Sequence, residues 1–508
     1  MNTVSDNKRI AKNTMMLYLR MFITMAISLY TSRLVLDVLG VVDFGVYNIV
    51  GGIVVVFSVL NGTLSTSTQR FLTVELGKSS GNKIKDVFST SLIVHIIVAG
   101  IIVLLSETVG LWFLNTQLSI PQDRLIVANW IYQFSILTCV LQLNTLPFSG
   151  VVIAHERMNV YAWLSIYNVI VKLLLVILIS NLPSDKLMLY GLVMLSIQIM
   201  ETAFYVLYTR KFSEVVLPTL WRSDLIRDFG KFAGWNLFGS ISEVGYTQGI
   251  NFLLNIYFGP VVNAARAIGV QVLAAAHSFV FNFQLAATPQ ITKTYASGEY
   301  ERMHKLIFLS SKVSFCLTFL IAVPLILEMP FVLNLWLTQV PDYTVIFVRL
   351  VILTMLFDST AGPLVFSLNA TGNIKKYQLI INGLFLMVLP ISWFFLWKGY
   401  PPQTVYVVYL VLVIIVQVLR IFIILPQIYL SKSVYIKEVL VKLTLLIICG
   451  IPLPVLLYAI MSPGVFRFII IGAASLFFIP LSMYLVVMSQ HERDMVKDMI
   501  KSRLPKVV

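Results

Sequence analysis

Long apolar stretches alternate with short polar joints from Lys12 onward, about fourteen times before the C-terminus, as in Ile53–Leu60, Leu92–Leu105, Leu164–Ile179 and Leu443–Ile460. A segment of about 20 apolar residues crosses a hydrocarbon core of roughly 30 Å as a helix. The other spanning architecture, a closed barrel, needs apolar and polar residues to alternate with period two. Runs such as IIVAGIIVLL (96–105) do not alternate, so the chain reads as an all-α polytopic membrane protein with about 14 transmembrane helices. Its charge content agrees: 12% of the 508 residues are charged, about half of the roughly 25% usual for a soluble domain.

The pattern predicts spans at 12–36, 44–69, 86–106, 124–148, 160–181, 187–209, 228–258, 262–290, 304–328, 343–368, 377–398, 403–430, 436–461 and 464–489. The first is too long for a signal-peptide core and lacks a small-residue cleavage site, so it is expected to be retained. Cys139, Cys316 and Cys449 fall within spans without paired spacing, which predicts neither a disulfide nor a metal site.

A formal net charge of +14 raises the possibility of a nucleic-acid partner. Sorting the cations by joint removes it. Lys8, Arg9, Lys12, Lys78, Lys83, Lys85, Arg210, Lys211, Lys293, Arg302, Lys305, Lys312 and the tail from Arg493 share the N-terminal side, against Arg124, Lys186, Lys398 and Arg467 opposite. This is the positive-inside bias, and it predicts that both termini are cytoplasmic.

Sliding the chain over itself by 219 residues sets Leu34, Gly40, Val42 and Ile49 on Leu253, Gly259, Val261 and Ile268, and an offset of 216 sets Pro147, Ala154 and Tyr161 on Pro363, Ala370 and Tyr377. An even number of spans separates the copies, so they share orientation, as in transporters built from parallel repeats. The expected domains are 1–217 (spans 1–6), 218–430 (spans 7–12) and 431–508 (spans 13–14 and a basic tail). In the joint 209–226, Trp221, Leu225 and Phe229 recur at helical spacing between charges, which predicts a short amphipathic interfacial helix.

Four segments carry a family resemblance: GVVDFGVYNIVGG (40–52), QRFLTVELGK (69–78), FGPVVNAARAIG (258–269) and ITKTYASGEYERMHKLI (291–307). In them the chain resembles the bacterial O-antigen and polysaccharide flippases (Wzx-type) of the MOP superfamily, which also includes the MATE exporters. The resemblance covers spans 1–10, with the remainder similar in hydropathy only. It implies two six-helix lobes around a central cavity plus two C-terminal helices in the bacterial inner membrane. The implied activity is flipping an undecaprenyl-diphosphate-linked oligosaccharide, such as an O-antigen unit feeding lipopolysaccharide. The expected partners are that substrate and membrane lipids, with a polysaccharide polymerase downstream and the protein itself a monomer.

Ionisable residues inside spans are costly and are functional candidates by default. In span 8, Arg266, His277 and Gln284 fall within about 20° of one another on the helix, with Thr288 near the same line. Such a stripe suits a diphosphate, because Arg presents forked donors to phosphate oxygens; the bland alternative is that Arg266 snorkels to the outer interface. In span 1, Arg20, Thr24, Ser28 and Thr31 share one face within about 80°, and Arg33 is placed to pair with Asp37. Arg20 and Thr24 are therefore assigned to a cationic cavity with the span 8 residues. The repeat offset sets Glu243 of span 7 on Thr24, one turn from Arg20, so Arg20 and Glu243 form a candidate gating pair. Asn251, on the same polar helix, joins them as a coupling candidate.

Asp358 stands just before Gly362–Pro363, where span 10 is expected to kink. It can take up a proton or Na⁺, or simply be hydrogen-bonded in the bundle. Lys172, His95, Glu201 and Arg420 are also intramembrane, and Glu201 and Arg420 read as structural. Lys78, Lys83 and Lys85 after span 2 match Lys293, Arg302 and Lys305 after span 8. Positive-inside topology alone would place them there; the functional reading is that they attract the anionic headgroup at the cytoplasmic face.

Three function classes compete. A lipid-linked oligosaccharide flippase wants a large cavity wetted by cations. A MATE-like ion-coupled exporter of small amphipathic compounds wants a carboxylate in span 1, whose only acid here is Asp37 at the far end. A polymerase or glycosyltransferase wants a sizeable external loop, yet the joints 107–123 and 329–342 are short, and no nucleotide-binding, acidic-metal or nucleophile motif occurs. The expectation is therefore a non-enzymatic flippase without a cofactor. Its cycle would be coupled to H⁺, Na⁺ or the membrane potential, worth roughly 2.3 kcal/mol per charge per 100 mV.

Overall fold

The computed structural model describes the backbone of residues 3–57, 64–65, 68–69, 71–72, 76, 81–155, 157–216, 223–490 and 492–494, and side chains from Met21 onward except at 57, 81–83, 158, 223–238, 285–286 and 289. The helices are α1 (Thr3–Phe57), α2 (Gly81–Leu105), α3 (Leu111–Thr116), α4 (Leu125–Ala154), α5 (Met158–Ser180), α6 (Lys186–Thr209), α7 (Ser223–Phe258), α8 (Pro260–Ala296) and α9 (Tyr300–Trp336). They continue as α10 (Thr344–Asp358), α11 (Ala361–Thr371), α12 (Lys375–Leu386), α13 (Val388–Trp397), α14 (Thr404–Ile424), α15 (Lys432–Tyr435), α16 (Lys442–Gly450), α17 (Pro452–Ile460) and α18 (Val465–Ser482). Large apolar side chains such as Ile126, Ile460 and Phe466 stand more than 70% exposed, as expected where lipid is the solvent.

Among the described residues eleven helices are long and apolar enough to cross a membrane, or twelve if α10 and α11, bent by 46°, form one span. The reading of about fourteen separates two more: α1 joins spans 1 and 2 across a break at Gly40, and much of span 7 has undescribed side chains. Boundaries agree closely where polar joints are crisp, as for 160–181 against Asn159–Ser180 and 187–209 against Lys186–Thr209.

Three expectations need correction. Span 3 does not end at 106 but continues through a π-helical turn at Ser106–Gly110 into α3, so the joint 107–123 shortens to a few residues. Span 9 does not stop at 328; it passes a kink at Glu328 and runs to Trp336. From Ser223 the backbone is one helix into span 7, so no separate interfacial helix exists over 223–229; that stretch has no proline to break it. Trp221 lies outside the described residues.

Packing divides the chain into Met1–Ala267 with Trp336–Asp342, and Ile268–Leu335 with Tyr343–Val508. This division falls inside α8, whereas the expected lobe boundary at 217/218 follows internal repetition, a different criterion. In the first unit α4 packs on α6 and α2, and α1 on α5 and α7, around Ile49, Val50, Leu114, Ile131, Tyr132 and Leu143. Three joints that the alternation assigns to one side meet at Arg124, which bridges Asp43 at 2.7 Å and Asp185 at 2.6 Å. Asp185 also caps α6 by accepting from the Met188 amide. At the other end His155 pairs with Glu214 and stacks on Phe212. Gly40 and Gly259, overlaid by the 219 offset, share a positive φ, 75° and 76°, which glycine adopts without a Cβ penalty.

In the second unit two buried ion pairs tie α9 to the C-terminal segments. Arg467 of α18 grips Glu328 through two nitrogens. Near the opposite end of α9, the Lys312 ammonium, only 1% exposed, meets Glu492 at 2.6 Å. Glu492 closes a capping box with Ser489, accepting from the Ser489 amide at 2.7 Å while its own amide donates to the Ser489 hydroxyl. Burial works to raise the Glu492 carboxyl, but the Lys312 ammonium and the Ser489 amide outweigh it and hold the group below its ordinary value of 4.5. A depressed folded value stabilises the folded state above 4.5, and that contribution disappears as pH falls through the folded value. The C-terminal segment should thus stay docked at neutral pH and loosen only in acid; proteolytic release of the tail that rises from pH 7 to 6 would contradict this.

Candidate functional site

A polar site of the second unit is the break between α10 and α11. Pro363 has no N–H, which leaves the Ser359 carbonyl without its helical donor. Gln284 of α8 supplies one, its Nε2 donating to that carbonyl at 2.8 Å. Gly362 makes the approach possible, since a Cβ there would overlap the Gln284 carboxamide. On the other flank Arg420 of α14 pairs with Asp358 and donates to Tyr377 at 3.2 Å and Gln417 at 3.1 Å. Gln417 in turn donates to the Thr360 hydroxyl at 2.5 Å. The same logic recurs in α9, where Pro330 frees the Ile326 carbonyl and Arg349 Nε donates to it at 2.9 Å. Gln284→Ala would orphan a buried carbonyl and should cost about 1–3 kcal/mol. Thermal unfolding in detergent checks this, and an unchanged midpoint would refute the bracing role.

The structure does not turn the predicted span 8 stripe toward one common target. Arg266 is half-buried, and its Nη2 donates to the Thr247 carbonyl of α7 at 2.6 Å. His277 is exposed, with its ring against Phe281 at 5.8 Å. Gln284 is 6% exposed and held at the α10–α11 break. Asn251 is buried in an asparagine network: Asn263 Nδ2 donates to its side-chain and backbone oxygens at 2.8 Å, and Asn255 Nδ2 donates to Asn263 at 2.9 Å. Asn255 also accepts from the Ser119 amide at 2.9 Å, which ties the joint after α3 to the α7–α8 turn.

The Arg20 side chain lies outside the described residues, so the Arg20–Glu243 pair does too; Glu243 is exposed, and Thr24 bonds the Met21 carbonyl of its own helix. Asp358 takes the arginine-paired position already given. Lys78 and the Lys83 side chain are outside the described residues, while Lys85 is half-buried, Lys293 and Lys305 are exposed, and Arg302 is exposed beside Glu299 at 3.1 Å. Glu201 accepts from Asn168 at 2.9 Å, and His95 is fully buried against the Ser91 carbonyl.

Sequence reasoning missed Arg349, the Glu328–Arg467 clamp and the Lys312–Glu492 anchor. A signal existed for two of them: Ser489-x-x-Glu492 is a capping-box motif, and Pro330 marks the carbonyl four residues earlier as needing a donor.

The fold and its intramembrane polar sites define a multi-pass helical membrane protein. The chain belongs to the polysaccharide biosynthesis protein family, whose model matches residues 10–295. Among curated proteins no sequence matches. Solved structures share the fold at low identity. The lipid II flippase MurJ in an inward closed conformation is 12% identical with a TM-score of 0.66, covering 94% of this chain and 99% of that one. An inward-facing multidrug resistance MATE transporter of the MOP superfamily is also 12% identical, TM-score 0.60, covering 81% and 94%. A MOP transporter from Pyrococcus furiosus, described as having a binding pocket of reverse polarity, is 12% identical, TM-score 0.53, covering 82% and 96%.

Proposed function

We propose that the protein is a flippase that moves an undecaprenyl-diphosphate-linked oligosaccharide from the cytoplasmic to the outer leaflet of a bacterial inner membrane by alternating access. The observation that carries this reading is the polysaccharide-biosynthesis family match on a chain with a transporter fold. Arg266 and His277 would attract the diphosphate inside the membrane, with Arg20 and Thr24 on span 1. Lys78, Lys83, Lys85, Lys293 and Arg302 would gather the headgroup at the cytoplasmic face, where both termini also lie. Glu243, Asp358 and Asn251 are the coupling or gating candidates for H⁺, Na⁺ or the membrane potential. Asp358 would act by releasing Arg420, since protonation removes the charge that holds the guanidinium. The cycle needs no chemistry on the substrate and no cofactor.

Removing the gene should abolish surface polysaccharide and leave its lipid-linked precursor accumulated in the inner leaflet. Intact surface polysaccharide without accumulation would contradict the assignment.

A further inference from the structure

We propose that a cavity inside the first unit is a subsite for one neutral sugar ring of the glycan, favouring a ring with a methyl-bearing substituent such as an acetamido group; this substrate rests on the flippase reading. The cavity occupies about 320 Å³ between α1, α4 and α6. That is near the small end of ligand pockets, which run from roughly 300 to 1,000 Å³, and it suits a ring better than a whole repeat unit.

Its walls combine two chemistries. Tyr47 and Phe134 line it with aromatic rings, whose apolar faces match the C–H face of a pyranose. Ser135, Thr138 and Gln142 line it from α4 at i, i+3 and i+7, one side of the helix. The Thr138 hydroxyl donates to the Phe134 carbonyl at 2.7 Å and keeps its lone pairs. The Ser135 hydroxyl is half-buried and the Gln142 carboxamide exposed, so both are accessible from the cavity they line. A carboxamide both donates and accepts, which suits a vicinal diol or an acetamido group. Val54, Val55 and Met194 also line it and give a methyl an apolar surface.

The lining also sets the charge. No ionised side chain is among the residues that line the cavity, so a uronate or an amino sugar would lose hydration without gaining a counter-charge. Lys172 stays outside the lining, with its ammonium 5.7 Å from the Tyr190 ring centre. Tyr190 meets Tyr47 edge-on at 4.7 Å.

Gly51 gives a direct handle, because a Cβ there meets nothing within 4 Å and a larger side chain grows into open space. The test is saturation-transfer NMR on the full chain in detergent, with methyl N-acetylglucosaminide, methyl glucoside and methyl glucuronide as probes. Transfer should be strongest to the acetamido methyl and weakest to the glucuronide. Gly51→Leu and Gln142→Ala should each lower it roughly fivefold, the factor expected for about 1 kcal/mol. Gly51→Ala, the folding control, should retain it. No transfer, equal transfer to all three probes, or transfer unchanged by Gly51→Leu would overturn the subsite. Binding and flux separate the two claims: flux without sugar binding contradicts only the subsite, whereas sugar binding without lipid-linked flux contradicts the flippase reading.

Discussion

Glu328→Ala should destabilise the second unit by about 3–5 kcal/mol, the penalty for stranding one partner of a buried ion pair. Both members are nearly inaccessible, Glu328 at 1% and Arg467 at 8%. Once the carboxylate is gone, Arg467 keeps the Tyr458 and Met461 carbonyls, at 3.4 and 3.2 Å, and the face of the Tyr458 ring at 4.4 Å, none of which carries a counter-charge. The pair also sits where α9 departs from helical geometry, at φ −99° and ψ 17° on Glu328 itself. The carboxylate therefore holds the kink as well as the charge. A double replacement, Glu328→Leu with Arg467→Leu, should be much milder than either single change, because it removes the cost of burying charge along with the attraction. Unfolding midpoints of the two singles and the double in detergent decide this; strict additivity would show that the pair is not coupled.

Gly45→Ala should be the most damaging conservative change in the first unit, at about 3 kcal/mol, the upper end of the usual overpacking cost. A Cβ at Gly45 would overlap the backbone carbonyl of Pro260. Backbone at the start of a helix cannot rotate away as a flexible side chain would, so α1 and the α7–α8 turn would have to separate. Gly51→Ala, six residues further along α1, meets open space and should be nearly silent. Equal effects of the two would mean that helix propensity, and not the contact with Pro260, governs this segment.

The sequence made the class of fold plain because the solvent imposes it: apolar length and joint polarity are one-dimensional quantities. The Gly40–Gly259 correspondence was legible for a related reason, since both are places where the backbone turns between spans and glycine alone turns there without strain. Partners were harder to see. Helical spacing put Arg266, His277 and Gln284 on one line, but whether that line faces a substrate path or a neighbouring helix depends on packing. Gln284 answers to the carbonyl that Pro363 frees, and Arg266 to Thr247 of α7. Asp358 was recognised as a carboxylate beside a kink, while its arginine lay 62 positions away on another helix. The Lys312–Glu492 anchor spans 180 positions, a separation that composition and periodicity do not encode.

The central claim is that cations within the bundle let a phosphorylated lipid headgroup cross the membrane. The most direct measurement reconstitutes the full chain in liposomes and follows the leaflet of a fluorescent undecaprenyl-diphosphate oligosaccharide, with wild type and Arg266→Ala compared against an organic-cation efflux assay. The account predicts lipid-linked flux in the wild type, a loss of about tenfold or more in the variant, as expected if a charge-assisted phosphate contact is removed, and no cation efflux in either. Cation efflux without movement of the lipid-linked glycan would contradict it.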